Sequence, residues 1–136
     1  MSGQKLQVGQ QVLISRIISE QDINVFSEIS MDHNPVHFDD AFAAKTIYGK
    51  RIAHGMIGAS LVSGALTELM GAGNILLSLN LDFKGPMFIG DKITCTLTIR
   101  EIVRRNLATI DVEISNYDSK PVIVGTAKSM RSVASS

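Results

Sequence analysis

The chain has 136 residues, 45% hydrophobic and 19% charged, which is the length of one domain and too apolar for a disordered chain. Thirteen Lys+Arg balance thirteen Asp+Glu, and this formal net charge of +0 argues against a general nucleic-acid binder and against electrostatic docking on an anionic membrane, while leaving room for a local basic patch. The single Cys95 excludes an internal disulfide and a Cys-rich zinc site; within the alternating Ile93-Thr94-Cys95-Thr96-Leu97 it reads as a passive strand residue.

Residues 1–9 are polar, with no apolar targeting segment. Residues 11–18 are largely apolar and β-branched and predict a strand or extended lead-in. Ser19, with Asp22 three residues on, makes a weak capping-box variant ahead of Ile23, Val25, Phe26 and Ile29, whose spacing predicts a short amphipathic helix. Residues 30–51 are mixed and polar, and Pro35 blocks a helix around it. Residues 39–44 predict one or two helical turns capped by Asp39 or Asp40.

Residues 54–70 give the clearest helix, apolar nearly all round and therefore expected to be buried on most sides. Its small residues, among them Gly55, Gly58, Ser63 and Gly64, let backbone or ligand come close, and Gly71-Ala72-Gly73 ends it. The stretch 56–70 is shorter than the ~20 residues of a membrane span and contains Glu68, so no membrane is expected and a cytoplasmic location is the default.

Beyond residue 73 the period changes to two. Strands are predicted at 74–83, 92–103, 108–116 and 121–130, with connections at Arg104-Arg105-Asn106 and at 117–120 short enough for antiparallel hairpins. This order predicts one α+β domain over residues 1–136, an antiparallel sheet wrapped around one long buried helix, the arrangement called a hotdog. A single such layer leaves open sheet edges, for which dimerisation is the usual remedy.

The chemistry-bearing residues concentrate in Asp32-His33-Asn34-Pro35-Val36-His37-Phe38-Asp39. A carboxylate and an imidazole five residues apart, on a segment that Pro35 keeps from being helical, can turn toward one water molecule and tune each other's protonation. The same residue types also make ordinary turns and caps, so spacing alone leaves both readings open.

Asp32-His33-Asn34-Pro35-Val36-His37, then Ala41-Phe42-Ala43, then Arg51-Ile52-Ala53-His54-Gly55-Met56, closely resembles the MaoC-like (R)-specific enoyl-CoA hydratases of the hotdog superfamily. The resemblance runs on through Gly85-Pro86 and Gly90-Asp91. It implies that Asp32 and His37 are a catalytic pair holding the attacking water, and that Asn34 braces the loop and orients that water. It further implies that the Gly55 N–H donates to the thioester carbonyl, and that Ser63 lies near the catalytic carboxylate. The implied reaction is reversible hydration of trans-2-enoyl-CoA to (R)-3-hydroxyacyl-CoA, a lyase activity of fatty acid metabolism with no cofactor and no metal.

Physical chemistry supports these roles independently. Hydration of an enoyl thioester builds negative charge on the carbonyl oxygen, and the first N–H groups of a helix are unpaired and sit at the positive end of its dipole. His54 reads as a structural histidine holding the loop at the helix entrance. Ile57, Val62 and Leu66 belong to the core and are candidates to line an acyl tunnel, with Tyr48 as a pocket wall. Arg104 and Arg105 are candidates for the phosphates of coenzyme A, alongside Lys45, Lys50, Arg51 and Lys84. The competing readings are a 3-hydroxyacyl-[acyl-carrier-protein] dehydratase, a hotdog thioesterase, and a non-catalytic acyl-thioester sensor. The expected partners are an acyl-CoA or acyl-carrier-protein thioester and a second copy of the chain.

Overall fold

In the computed structural model, residues 5–132 are described. The elements in chain order are β1 (Gln11–Ile17), α1 (Glu20–Ser30), α2 (Asp40–Ala44), α3 (Gly55–Met70), β2 (Asn74–Phe83), β3 (Lys92–Arg104), β4 (Leu107–Ser115) and β5 (Pro121–Arg131). The strands form one antiparallel sheet in the order β1-β3-β4-β5-β2. The sheet packs against α3, which meets all five strands, in the hotdog arrangement expected from the element order.

Period-two patterning builds the sheet's inner face. Ile93, Cys95, Leu97 and Ile99 of β3 and Ala108, Ile110, Val112 and Ile114 of β4 are buried, and their neighbours are more exposed. They meet Val62, Ala65, Leu66 and Leu69 of α3 in one apolar cluster. Burying a side chain such as Leu66 or Ile110 stabilises the fold by about 2 kcal/mol. Cys95 is a strand residue in this core, and burial pushes its thiol up to about 12.

Two glycines set the close approaches. A Cβ on Gly58 would lie 2.8 Å from Met87 Sδ and 3.0 Å from Ile123 Cδ1, so the glycine lets α3 settle onto β5. A Cβ on Gly125 would run into the Asn80 carbonyl oxygen, so only glycine fits where β5 passes β2.

The caps follow the sequence. Ser19 and Asp22 form a complete capping box, and Asp22 also takes a two-pronged pair from Arg16, which holds its carboxyl below the usual range. Asp39 caps α2 by accepting from the Phe42 N–H. At the β4–β5 turn the Asn116 side chain accepts from the N–H groups of Asp118 and Lys120.

The expectation for α3 needs one correction. Met56, Ser60, Ser63, Thr67 and Glu68 form an exposed stripe along it, so α3 buries one side against the sheet rather than most of its circumference. β2 is an edge strand of unusual character: Ile75, Leu76, Leu77, Leu79 and Phe83 are all 38–50% exposed.

Candidate active site

Local turn chemistry shapes the segment between α1 and α2. Met31 closes α1 at φ +62°. The Asp32 carboxylate then accepts from the Asn34 N–H at 3.1 Å, and the Asn34 side chain accepts from the Val36 N–H at 3.1 Å. Pro35 opens a single 3-10 turn, Pro35–His37, which carries the His37 ring into the protein while Asp32 stays exposed. Asp32 and Asn34 thus do make turns, and the Asn34 side chain caps the turn that carries His37.

His37 is 7% exposed, and its Nδ1 lies 2.8 Å from the Ile52 carbonyl oxygen. A carbonyl only accepts, so Nδ1 carries the proton and Nε2 keeps its lone pair. The backbone of the same residue is held too: Arg51 Nε donates to the His37 carbonyl at 2.7 Å. Arg51 in turn grips Glu20 in a bidentate pair at 2.6 and 2.8 Å, which raises its own pKa and holds the Glu20 carboxyl below its usual value.

His54 is 2% exposed. Its Nε2 lies 3.1 Å from the Asp32 carbonyl oxygen and 3.2 Å from Ser27 Oγ, so Nε2 is the protonated nitrogen and ties the loop to the entrance of α3. Nδ1 is buried with no partner among the described residues. Burial pushes the His54 pKa down, the bond to the Asp32 carbonyl opposes this, and the neighbouring His37 adds to the lowering. The two imidazoles stack with centroids 3.7 Å apart and planes at 29°, and Phe26 packs on His54 at 4.9 Å.

Asp32, His37 and His54 bring one ligating atom each within 4.8 Å of one another.

Beside this cluster α3 begins. The N–H groups of Gly55 and Met56 have no acceptor among the described residues, and His54 contributes no side-chain cap. Gly55 opens onto a cavity of about 170 Å³ walled by Tyr48, Phe83, Lys84 and Pro86. A Cβ at Gly55 would come within 2.9 Å of the Phe83 ring. The protein therefore offers an acid–base cluster, unpaired backbone donors and a space next to them.

Other sequence-derived candidates lie elsewhere. Val62 and Leu66 are each 1% exposed and belong to the core. Ile57 is 6% exposed and borders an open apolar groove of about 580 Å³ with Phe26, Ser60 and Leu61. Ser63 is exposed and its hydroxyl makes no hydrogen bond among the described residues; eight residues of helical rise, about 12 Å, separate it from Gly55. Helical phase places Ser63 on the exposed stripe, and it makes no hydrogen bond to the Asp32 carboxylate among the described residues. Arg104 and Arg105 sit with Arg131 at the far end of α3, where Arg131 Nε donates to the Met70 carbonyl at 2.6 Å. That end is about 22 Å from Gly55 along the helix axis.

Sequence reasoning missed Ser27, Phe26 and the Ile52 carbonyl, and it misjudged Arg51 as a cation free for phosphate. No local signal could have found them, since each matters through a contact 14 to 31 residues away in the chain.

Comparison with known proteins places this site in company. A family model described as MaoC like domain matches residues 3–121. The (R)-specific enoyl-CoA hydratase of Aeromonas caviae is 37% identical over 129 residues, 93% of this chain and 96% of that protein. A mitochondrial 3-hydroxyacyl-[acyl-carrier-protein] dehydratase of Arabidopsis thaliana is 32% identical, covering 90% of this chain and 75% of its own. A solved (R)-hydratase from A. caviae, described as involved in PHA biosynthesis, superposes with a TM-score of 0.89 at 36% identity, covering 93% of this chain and 98% of that one. A domain-length match, a shared hotdog architecture and a carboxylate–histidine loop at the mouth of an open helix end agree: the chain belongs to the MaoC-like domain family.

Proposed function

We propose that this protein is a hydro-lyase that adds water reversibly to trans-2-enoyl-CoA and forms (R)-3-hydroxyacyl-CoA. The observation that carries the reading is the Asp32–His37–His54 cluster set beside the unpaired N–H groups that open α3. The relatives named for this reaction align over nearly the whole chain and support it.

The thioester carbonyl oxygen takes the Gly55 N–H, where the helix dipole and the free donor stabilise the enolate-like transition state. Water attacks Cβ and gives its proton to His37 Nε2, the lone pair left free by the Nδ1 bond to Ile52. A proton reaches Cα from the Asp32 carboxyl, and transfer between Asp32 and His37 restores the pair. One water is consumed and both of its fragments end on the substrate, so the step balances without an oxidant or a reductant. The two groups act on the same water and so work as one unit.

A carrier-protein thioester is the second reading, favoured by the 32% identity to a dehydratase of that class. The protein works as a homodimer: the apolar edge strand β2 offers Leu76, Leu77 and Leu79 to a second copy. No helix among the described residues is long and apolar enough to cross a membrane, and we place the protein in the cytoplasm.

The test follows absorbance of the enoyl-thioester band with crotonyl-CoA. Loss of absorbance without free thiol, and an (R) product by chiral analysis, is the expected result. Release of thiol would make the protein a thioesterase, and an unchanged spectrum with bound ligand would make it a sensor. Sedimentation at micromolar concentration should give a dimer; a monomer there removes the β2 contact.

A further inference from the structure

Across the Gly85-Pro86 turn from the Gly55 cavity lies a second, polar cavity of about 320 Å³. Gly85 and Pro86 line both spaces, so the two adjoin. The second is bounded by Lys50 from the segment between α2 and α3, by Phe88 and Asp91 from the β2–β3 connection, and by Tyr117, Asp118 and Lys120 from the β4–β5 turn.

Its charges are unevenly committed. The Asp91 carboxylate accepts from the Phe88 N–H at 2.9 Å. The Lys50 ammonium sits 4.4 Å above the Phe88 ring, which fixes it at the rim. Neither Lys50 nor Lys120 pairs with a carboxylate among the described residues, although Asp91 and Asp118 share the cavity. Tyr117 is 69% exposed and makes no ring contact among the described residues, so its aromatic face is open. The cavity thus presents two ammonium groups with no ion pair among the described residues, set beside the Asp91 and Asp118 carboxylates, and an open ring, next door to the place where the thioester carbonyl binds.

We infer that the Lys50–Tyr117–Lys120 cavity holds the phosphorylated adenosine end of a coenzyme A thioester. Lys50 and Lys120 meet its phosphates and Tyr117 stacks on its base. The inference rests on the hydratase reading, which puts the reacting carbonyl at Gly55. It also chooses between the two thiols. A carrier protein delivers its pantetheine arm on a serine phosphate and has no adenosine, so an open aromatic face and a second ammonium would have nothing to bind.

The test measures kcat/KM for crotonyl-CoA and for crotonyl-pantetheine, which lacks the nucleotide. The protein should favour the CoA thioester by about tenfold or more. Lys120→Ala should raise KM for crotonyl-CoA by about fivefold, the scale of one exposed charge contact, and Tyr117→Ala by a similar factor, each shrinking the CoA preference. Adenosine 3′,5′-bisphosphate should compete with crotonyl-CoA, and compete less well in Lys120→Ala. Equal efficiency on both thioesters overturns the subsite while the hydratase reading stands. So does a fall by the same factor on both substrates in the variants, or a preference for a carrier-protein thioester that the variants leave intact. Hydration of neither thioester removes the hydratase reading, and the subsite with it.

Discussion

At the C-terminal end of α3, Gly71 turns the chain at φ 95° and donates its N–H to the Thr67 carbonyl at 2.9 Å, while Arg131 gives its Nε–H to the Met70 carbonyl at 2.6 Å. At the other end Gly55 and Met56 present N–H groups with no acceptor among the described residues, and the N-cap position holds His54, whose side chain makes no cap hydrogen bond there. A sequence selected only for stability would place Ser, Thr, Asp or Asn there, because such a cap stabilises a helix by about 1 kcal/mol. One helix therefore has a closed end that serves the fold and an open end that forgoes that stability. The open end is also where Asp32, His37 and His54 gather. Unpaired donors beside an acid–base cluster are what the proposed hydration needs to receive its oxyanion, and the closed end shows that the chain can satisfy a helix terminus.

The strongest way to break this comparison is at the open end. Asp32→Asn and His37→Gln should each lower kcat/KM for crotonyl-CoA by about three orders of magnitude while the thermal midpoint stays within a few degrees. Because both groups act on one water, the double variant should lose little more than the worse single variant. A double variant showing the full product of the two losses would mean two independent sites.

Gly55→Ala should come next, with kcat down by about tenfold to a hundredfold. The added methyl displaces the substrate carbonyl from the ~2.9 Å distance a donor needs. It also meets the Phe83 ring at 2.9 Å, but Phe83 is half exposed and can swing outward, so the midpoint should move little. Adding Phe83→Leu separates the two effects: it should relieve any loss of stability without restoring kcat. Recovery of full turnover in that double variant would trace the defect to packing and take the oxyanion role from Gly55.

At the closed end the signs should reverse. Arg131→Met strips the Met70 carbonyl of its partner in a buried setting and should cost about 1–3 kcal/mol of stability. Turnover per folded molecule should hold, since Arg131 lies a helix length from Gly55. A selective loss of kcat with an unchanged midpoint would mean that the far end also serves catalysis.

The two ends also differed in how far the sequence disclosed them. Periodicity gave the strands closely: β2 occupies the predicted 74–83, β3 and β5 run one residue longer at their C-terminal ends, and β4 is shifted by one residue at both ends. Gly71 signalled the closed end, but Arg131 did not, because its bond to Met70 spans 61 residues. The Asp32–His37 pair was legible only through a motif, since the same residues also form the turns that Asp32 and Asn34 make. Helical phase was the main failure. A helix with Gly, Ser and Thr among its apolar residues looks apolar all round, yet Ser60, Ser63 and Thr67 share one exposed face while Val62 and Leu66 face the sheet. The brace on His37 by Arg51 and Glu20 was invisible, because only the fold brings α1 beside the segment preceding α3.

The smallest expected effect sharpens the open end through pH. His54 is buried, its Nε2–H is held by the Asp32 carbonyl, and its pKa lies below the ordinary value of 6.5. The unfolded chain therefore binds a proton at this residue before the folded one does. Stability from His54 is complete above about pH 6.5 and falls as the pH drops below it. The carboxyl groups of Glu20 and Asp22 are shifted in the same direction, but from 4.5 and 3.8, so their losses come at lower pH. Between pH 7 and pH 5 the midpoint of the native protein should thus fall by a few degrees. His54→Gln keeps an N–H that can reach the Asp32 carbonyl and removes the titrating group, so its midpoint should be lower at pH 7 yet flatter over that range. An equal slope in both proteins would place the titration on another group, and the orphaned Nδ1 would then have no part in the pH response.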